Sequence, residues 1–175
     1  VTKDATGPTI AEVQAWSWAL SSPANGSFSN DGTPIVGLSG AGSEEGGAIQ
    51  VHDNAVCSSS KGVRQTITAG STSHADINYA TDGSEDGLIT FYVIAEDALG
   101  NASSCASVSL SYTLDTVAPL VAITTAADIT TVNENSYSAS GTCSENGQTV
   151  VVNVGGVTPA VQPSCTGNAW SVSGL

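Results

Sequence analysis

From Ser107 to Leu114 the chain reads Ser-Val-Ser-Leu-Ser-Tyr-Thr-Leu, small hydroxyl side chains alternating with large apolar ones. A strict period of two is the signature of a β-strand with one face in a core and the other in water. Upstream, Ile89, Phe91, Val93 and Ala95 share one face, and Thr90, Tyr92 and Glu96 the other. The turn Glu96-Asp97-Ala98-Leu99-Gly100-Asn101 joins the two runs, so the pattern predicts an antiparallel hairpin. Further strands are predicted over 13–20, 34–38, 48–51, 63–68 and 76–80. Turn clusters such as Asn30-Asp31-Gly32 and Asp82-Gly83-Ser84 separate them. About seven short strands in about 110 residues argue for a β-sandwich.

A joint occurs twice. Asp4 to Pro8 reads Asp-Ala-Thr-Gly-Pro, and Asp115 to Pro119 reads Asp-Thr-Val-Ala-Pro, 111 positions later. Proline gives a stiff, extended lead into the next strand. The repeat divides the chain into the end of a preceding repeat (1–7), a first domain (8–115), a linker (116–119) and a second domain (120–175). In the second domain, strands are predicted over 120–124, 136–143, 148–154 and 169–172, with Glu145-Asn146-Gly147 as a hairpin turn. No counterpart of the 89–114 hairpin follows. The second sandwich is therefore expected to be incomplete here, its missing part lying in further sequence or supplied by another chain through strand addition.

Charge narrows the partners. Sixteen acidic side chains against three basic ones give a net charge of -13. Such a surface repels phosphate backbones and anionic lipid, so neither nucleic acid nor membrane insertion is expected. The coat also keeps crowded copies apart. The four cysteines at 57, 105, 143 and 165 form no CxxC pair, and the only histidines are His52 and His74. Two disulfides in an oxidising, extracellular compartment are expected rather than a zinc site. Pairing within each domain gives Cys57–Cys105 and Cys143–Cys165, one of three connectivities the sequence permits. Catalytic motifs are lacking: there is no Gly-x-Ser-x-Gly elbow, HExxH or P-loop. His52 and Asp53 are neighbours that face opposite ways in a strand. Both histidines are expected to be exposed strand residues, and no enzyme is expected.

Three stretches resemble the bacterial Ig-like tandem repeats of very large surface adhesins of the biofilm-associated and RTX kinds. Residues 94–101 (Ile-Ala-Glu-Asp-Ala-Leu-Gly-Asn) are similar to the family's Asp-x-x-Gly-Asn turn, and 114–119 (Leu-Asp-Thr-Val-Ala-Pro) to its Asp-Thr-x-Ala-Pro linker. Residues 140–147 with 150–156 are similar to its mid-domain hairpin. The likeness covers most of 30–175; residues 10–29 and the loop near 58–61 fit it less well. It implies tandem immunoglobulin-like β-sandwiches acting as a structural stalk or spacer of an extracellular adhesin or fibre, with neighbouring repeats as partners. A receptor would lie outside this segment. No cofactor is implied beyond Ca²⁺ at domain joints, for which Asp4, Asp97 and Asp115 are the candidate ligands. Asp97 and Asp115 fall at opposite poles of one sandwich, so they would serve different joints. Two other readings stay open: a filament subunit joined by inter-chain strand complementation, and a glycan- or protein-binding module using Trp16 and Trp18. Those tryptophans stand two apart and would share one face of a strand. Trp170 alternates with Val172 and is expected in a core. Asn25 and Asn101 begin sequons that read as turns.

Overall fold

The computed structural model describes residues 5–133, 136–153 and 162–174. The chain divides between Val117 and Ala118 into two compact units, each with its own core. No helix among the described residues is long and apolar enough to cross a membrane.

Unit 1 opens with a short helix, α1 (Ile10–Ala15), and continues through β1 (Ser17–Ser22), β2 (Phe28–Ser29) and β3 (Ile35–Ser39). A single 3₁₀ turn at Gly42–Glu44 follows. The remaining strands are β4 (Ala48–His52), β5 (Ser60–Thr66), β6 (Thr72–His74), β7 (Gly87–Glu96) and β8 (Ala106–Leu114). They form two sheets, β1-β3-β6 and β2-β8-β7-β4-β5. Leu20, Val36 and Leu38 of the first share one buried cluster with Ile49, Val51, Phe91, Val93, Val108, Leu110 and Tyr112 of the second. Unit 1 is thus a β-sandwich, and the alternation in 107–114 marks its inner face: Val108, Leu110, Tyr112 and Leu114 are buried. Phe91 and Tyr112 stack there, ring centroids 6.2 Å apart.

Several expectations need correction. The strand predicted over 13–20 begins as helix α1. Thr9 and Glu12 form a capping box: the Thr9 side chain accepts from Glu12 N, and the Glu12 carboxylate accepts from Thr9 N (2.7 Å). That local satisfaction of helix-end donors, just after Pro8, outweighs the alternation downstream. The predicted strand over 76–80 has the right period, since Ile77 and Tyr79 are buried, but no ladder partner; Tyr79 N–H donates to Gly32 O alone (2.8 Å). β2 and β6 are too short to show a period. The histidines are buried, not exposed: His52 is 5% and His74 1% accessible.

Among the described residues, unit 2 has one three-stranded sheet, β11-β10-β9, built from β9 (Val121–Ala126), β10 (Ser138–Cys143) and β11 (Ala169–Ser173). Tyr137, Ala139, Cys143, Val150, Cys165 and Trp170 make its core. The strand predicted over 148–154 appears as a single bridge, Thr149↔Ser164, with Val150 N–H donating to Pro163 O (2.8 Å). Residue 154 lies outside the described residues. Trp170 lies over Gly141, its cross-strand partner, and its indole N–H donates to Ala122 O (3.3 Å).

Candidate functional site

Unit 1 has two distinct poles. At one, the chain arrives along the turn that joins β7 to β8. Gly7 packs so closely there that a Cβ would sit 2.5 Å from Asn101 O. The turn is held by Asp97, whose Oδ1 accepts from Leu99 N and Asn101 N (both 2.8 Å) and whose Oδ2 accepts from the Asn101 side-chain amide (2.7 Å). The Asn101 side-chain and backbone donors hold the Asp97 carboxyl below its ordinary range. Gln14 of α1 reaches Ser107 O at the same end of β8 (3.2 Å).

At the other pole the chain leaves. Asp115 N–H donates to Ser29 O (2.9 Å). Thr116 grips Asp86 twice, N–H to Oδ2 (2.9 Å) and Oγ to Oδ1 (2.8 Å), and Thr116 Oγ accepts from Gly83 N (3.0 Å). In the sequence Thr116 was read only as part of the 116–119 linker, and Asp86 was not singled out.

Asp97 and Asp115 are thus separated by the length of β8, nine residues or roughly 30 Å. Asp4 lies outside the described residues. Among the described residues no group of three or more His, Cys, Asp and Glu is placed to hold a metal ion.

Both disulfides close within a unit. Cys57–Cys105 ties the loop after β4 to the start of β8 (Cα–Cα 5.7 Å), and Cys143–Cys165 ties β10 to the segment before β11 (Cα–Cα 5.9 Å). Near the first, Lys61 Nζ lies between Asp53 (3.4 Å) and Glu85 (2.9 Å) and 4.2 Å above the Tyr79 ring. Burial works against the Lys61 charge, but the two carboxylates outweigh it and raise its pKa. The Tyr79 hydroxyl is buried and pushed well above its ordinary value.

Trp16 ends α1 in extended geometry and Trp18 follows in β1, so the two rings do meet, with centroids 6.4 Å apart. Both are half-buried against the unit 1 core, and the Trp18 indole N–H donates to Val13 O (2.8 Å). The pair forms part of the α1–β1 junction.

β9 of unit 2 is different in kind. All six of its residues are exposed. Val121 pairs with buried Cys143, and Ile123 with Gly141 beneath Trp170, yet they are 54% and 68% accessible. Cross-strand partners point to one face, so the core face of the sheet continues onto β9 without cover. Among the described residues β9 is also an edge strand, and it carries no charge or proline.

No family model matches the chain, and no curated protein matches it. Among solved structures it is similar to one described as a tetra-tandem repeat in the extending region of a large adhesion protein. The identity is 20% and the TM-score 0.36, over 91% of this chain and 40% of that one. The chain therefore spans less than half of that protein's length in the structure.

Proposed function

We propose that the chain is a non-catalytic spacer module of a secreted, surface-anchored adhesin or fibre, joined end to end with neighbouring repeats. One observation carries the reading. Unit 1 receives the chain at the Gly7–Asn101 pole and releases it at the Asp115–Thr116 pole, so its contribution to reach is the full length of β8. Entry and exit at opposite poles let such units join end to end, each adding its own length. The residues that the sequence shares with adhesin repeats, the 97–101 turn and the 115–119 joint, lie at or lead away from those poles. The charge of -13 supports the same reading, because stalks at high density must not adhere to each other.

The test is dimensional. Chains concatenated two, three and four times should show a maximum dimension in small-angle scattering that grows by a constant increment per copy. Particles that stay compact as copies are added would refute the spacer role.

A second reading rests on β9. Its uncovered core face and free edge suit completion by an extended segment from a neighbouring chain, which would make the protein a filament subunit. Oligomers that persist on dilution, and that Ile123→Lys converts to monomers, would favour this reading over the first.

A further inference from the structure

The spacer reading implies that tension passes through unit 1, and the geometry points to where it is held: we infer that the parallel pair β2–β8 is the tensile clamp of the unit. This inference rests on the spacer reading and adds the residues that resist extension.

β2 runs parallel to β8, with Phe28 opposite Thr113 and Ser29 opposite Leu114; every other pairing of named strands among the described residues is antiparallel. Direction matters because of where the chain is pulled. Tension reaches β2 from its N-terminal side and β8 from its C-terminal side. For two parallel neighbours those pulls are opposed and lie along the strand axes, so the strands must slide past one another. Hydrogen bonds between them cross the line of force and are loaded together. An antiparallel pair pulled from its shared end opens one bond at a time.

The bonds are specific. Gly26 N–H donates to Ser111 O (2.7 Å), Thr113 N–H to Ser27 O (2.8 Å) and Asp115 N–H to Ser29 O (2.9 Å). Asn25 extends the row by one side chain, its Oδ1 accepting from Ser111 N (2.8 Å). The row therefore begins three residues before the two ladder residues of β2. Next to Asp115, the Thr116–Asp86 grip ties the departing chain to the start of β7, so β8 is held from both flanks. α1 and β1 precede β2 and are loaded before it. Once they detach, the β2–β8 row is what still joins the arriving chain to the five-stranded sheet. Cys57–Cys105 then sets how far the unit can run out, since the 48-residue span between the cysteines cannot extend.

The full chain, held by its two ends in optical tweezers, tests this. Reductant identifies the events: it lengthens the unit 1 step by the 48 residues between its cysteines, ~170 Å, and the unit 2 step by 22 residues, ~80 Å. Thr113→Pro removes one clamp donor that faces β2, and Asn25→Ala removes the side-chain acceptor. Both should lower the unit 1 rupture force, each by about a quarter if the four bonds of the row share load equally. Ile67→Ala, which opens a cavity in the buried core but removes no bond of the row, should lower equilibrium stability with far less change in force. If Thr113→Pro does not fold, Asn25→Ala and the direction of pull still decide. Wild-type protein held at Leu88 and Val117, which unzips β7 from β8, should open at lower force than protein held by its ends. Rupture forces that track equilibrium stability alike in all three variants, or that ignore pulling direction, overturn the clamp and leave the spacer reading standing. A wild-type unit 1 that extends without a force peak removes load-bearing altogether.

Discussion

His74 is the residue whose environment most exceeds what the sequence suggests. It is 1% accessible, neither ring nitrogen has a hydrogen-bond partner, and Asp76 Oδ1 lies 3.9 Å away. Burial pushes its pKa below the ordinary value of 6.5, and Asp76 opposes this only in part. His52 is shifted the same way by burial, against its contact to Ser59 O. A depressed histidine pKa means that the unfolded chain takes up the proton first as pH falls. The contribution of these residues is fully present above about pH 6.5 and declines below it, by at most about 1.4 kcal/mol per pH unit for each histidine. The carboxylates held low by hydrogen bonds, such as Asp31 and Glu45, act only below their ordinary range near pH 4. Thermal melts of unit 1 should therefore fall between pH 7 and pH 5, and His74→Leu should flatten that fall. An unchanged slope in the variant would show that the proton goes elsewhere. In the sequence His74 sits in Ser-Thr-Ser-His-Ala-Asp, with no large apolar neighbour, and nothing there announces burial. It becomes interior because β6 pairs with β3, placing His74 opposite core residue Val36, a long-range fact that local pattern cannot carry.

At the scale of elements, legibility follows length. β7 and β8 have ten and nine residues, enough for the period of two to declare both strand and face. β2 has two residues and was invisible, though it supplies the parallel contact on which the clamp depends. α1 was hidden by the tryptophans that follow it; the Thr9-x-x-Glu12 box was the available signal. β10 shows how an element can depend on one missing side chain. Gly141 lies under Trp170 and against Ala122 O, and a Cβ there would collide with both. Gly141→Ala should separate β9 from β10 and displace the indole. The expected result is loss of the unit 2 melting transition and of Trp170 burial by fluorescence, with the unit 1 transition in place. A variant with both transitions intact would mean that the sheet can open locally without cost.

For the whole molecule, the contrast between the units sets how stability is distributed. Among the described residues, unit 1 buries nineteen apolar residues in one cluster shared by two sheets, and unit 2 buries six around a single sheet. The repeated proline joint spans 115–119 in the sequence, and the two compact units part within it, between Val117 and Ala118. What the sequence could not convey was that the three-stranded sheet would keep a core beneath Trp170. The disulfides matter unequally for the same reason. Chain-entropy arithmetic gives about 4 kcal/mol for a 48-residue loop and about 3 kcal/mol for a 22-residue loop. Those sums are similar, but the smaller one supports the smaller core among the described residues. With Cys143 and Cys165 both replaced by serine, unit 2 should be unfolded at 25 °C while unit 1 still melts cooperatively. With Cys57 and Cys105 replaced, unit 1 should remain folded and melt at a lower temperature. Calorimetry on the two double variants reads both transitions directly. If unit 2 survives loss of its disulfide, its open sheet must be covered in solution, and sedimentation of the same sample at two concentrations would show whether a second copy provides the cover.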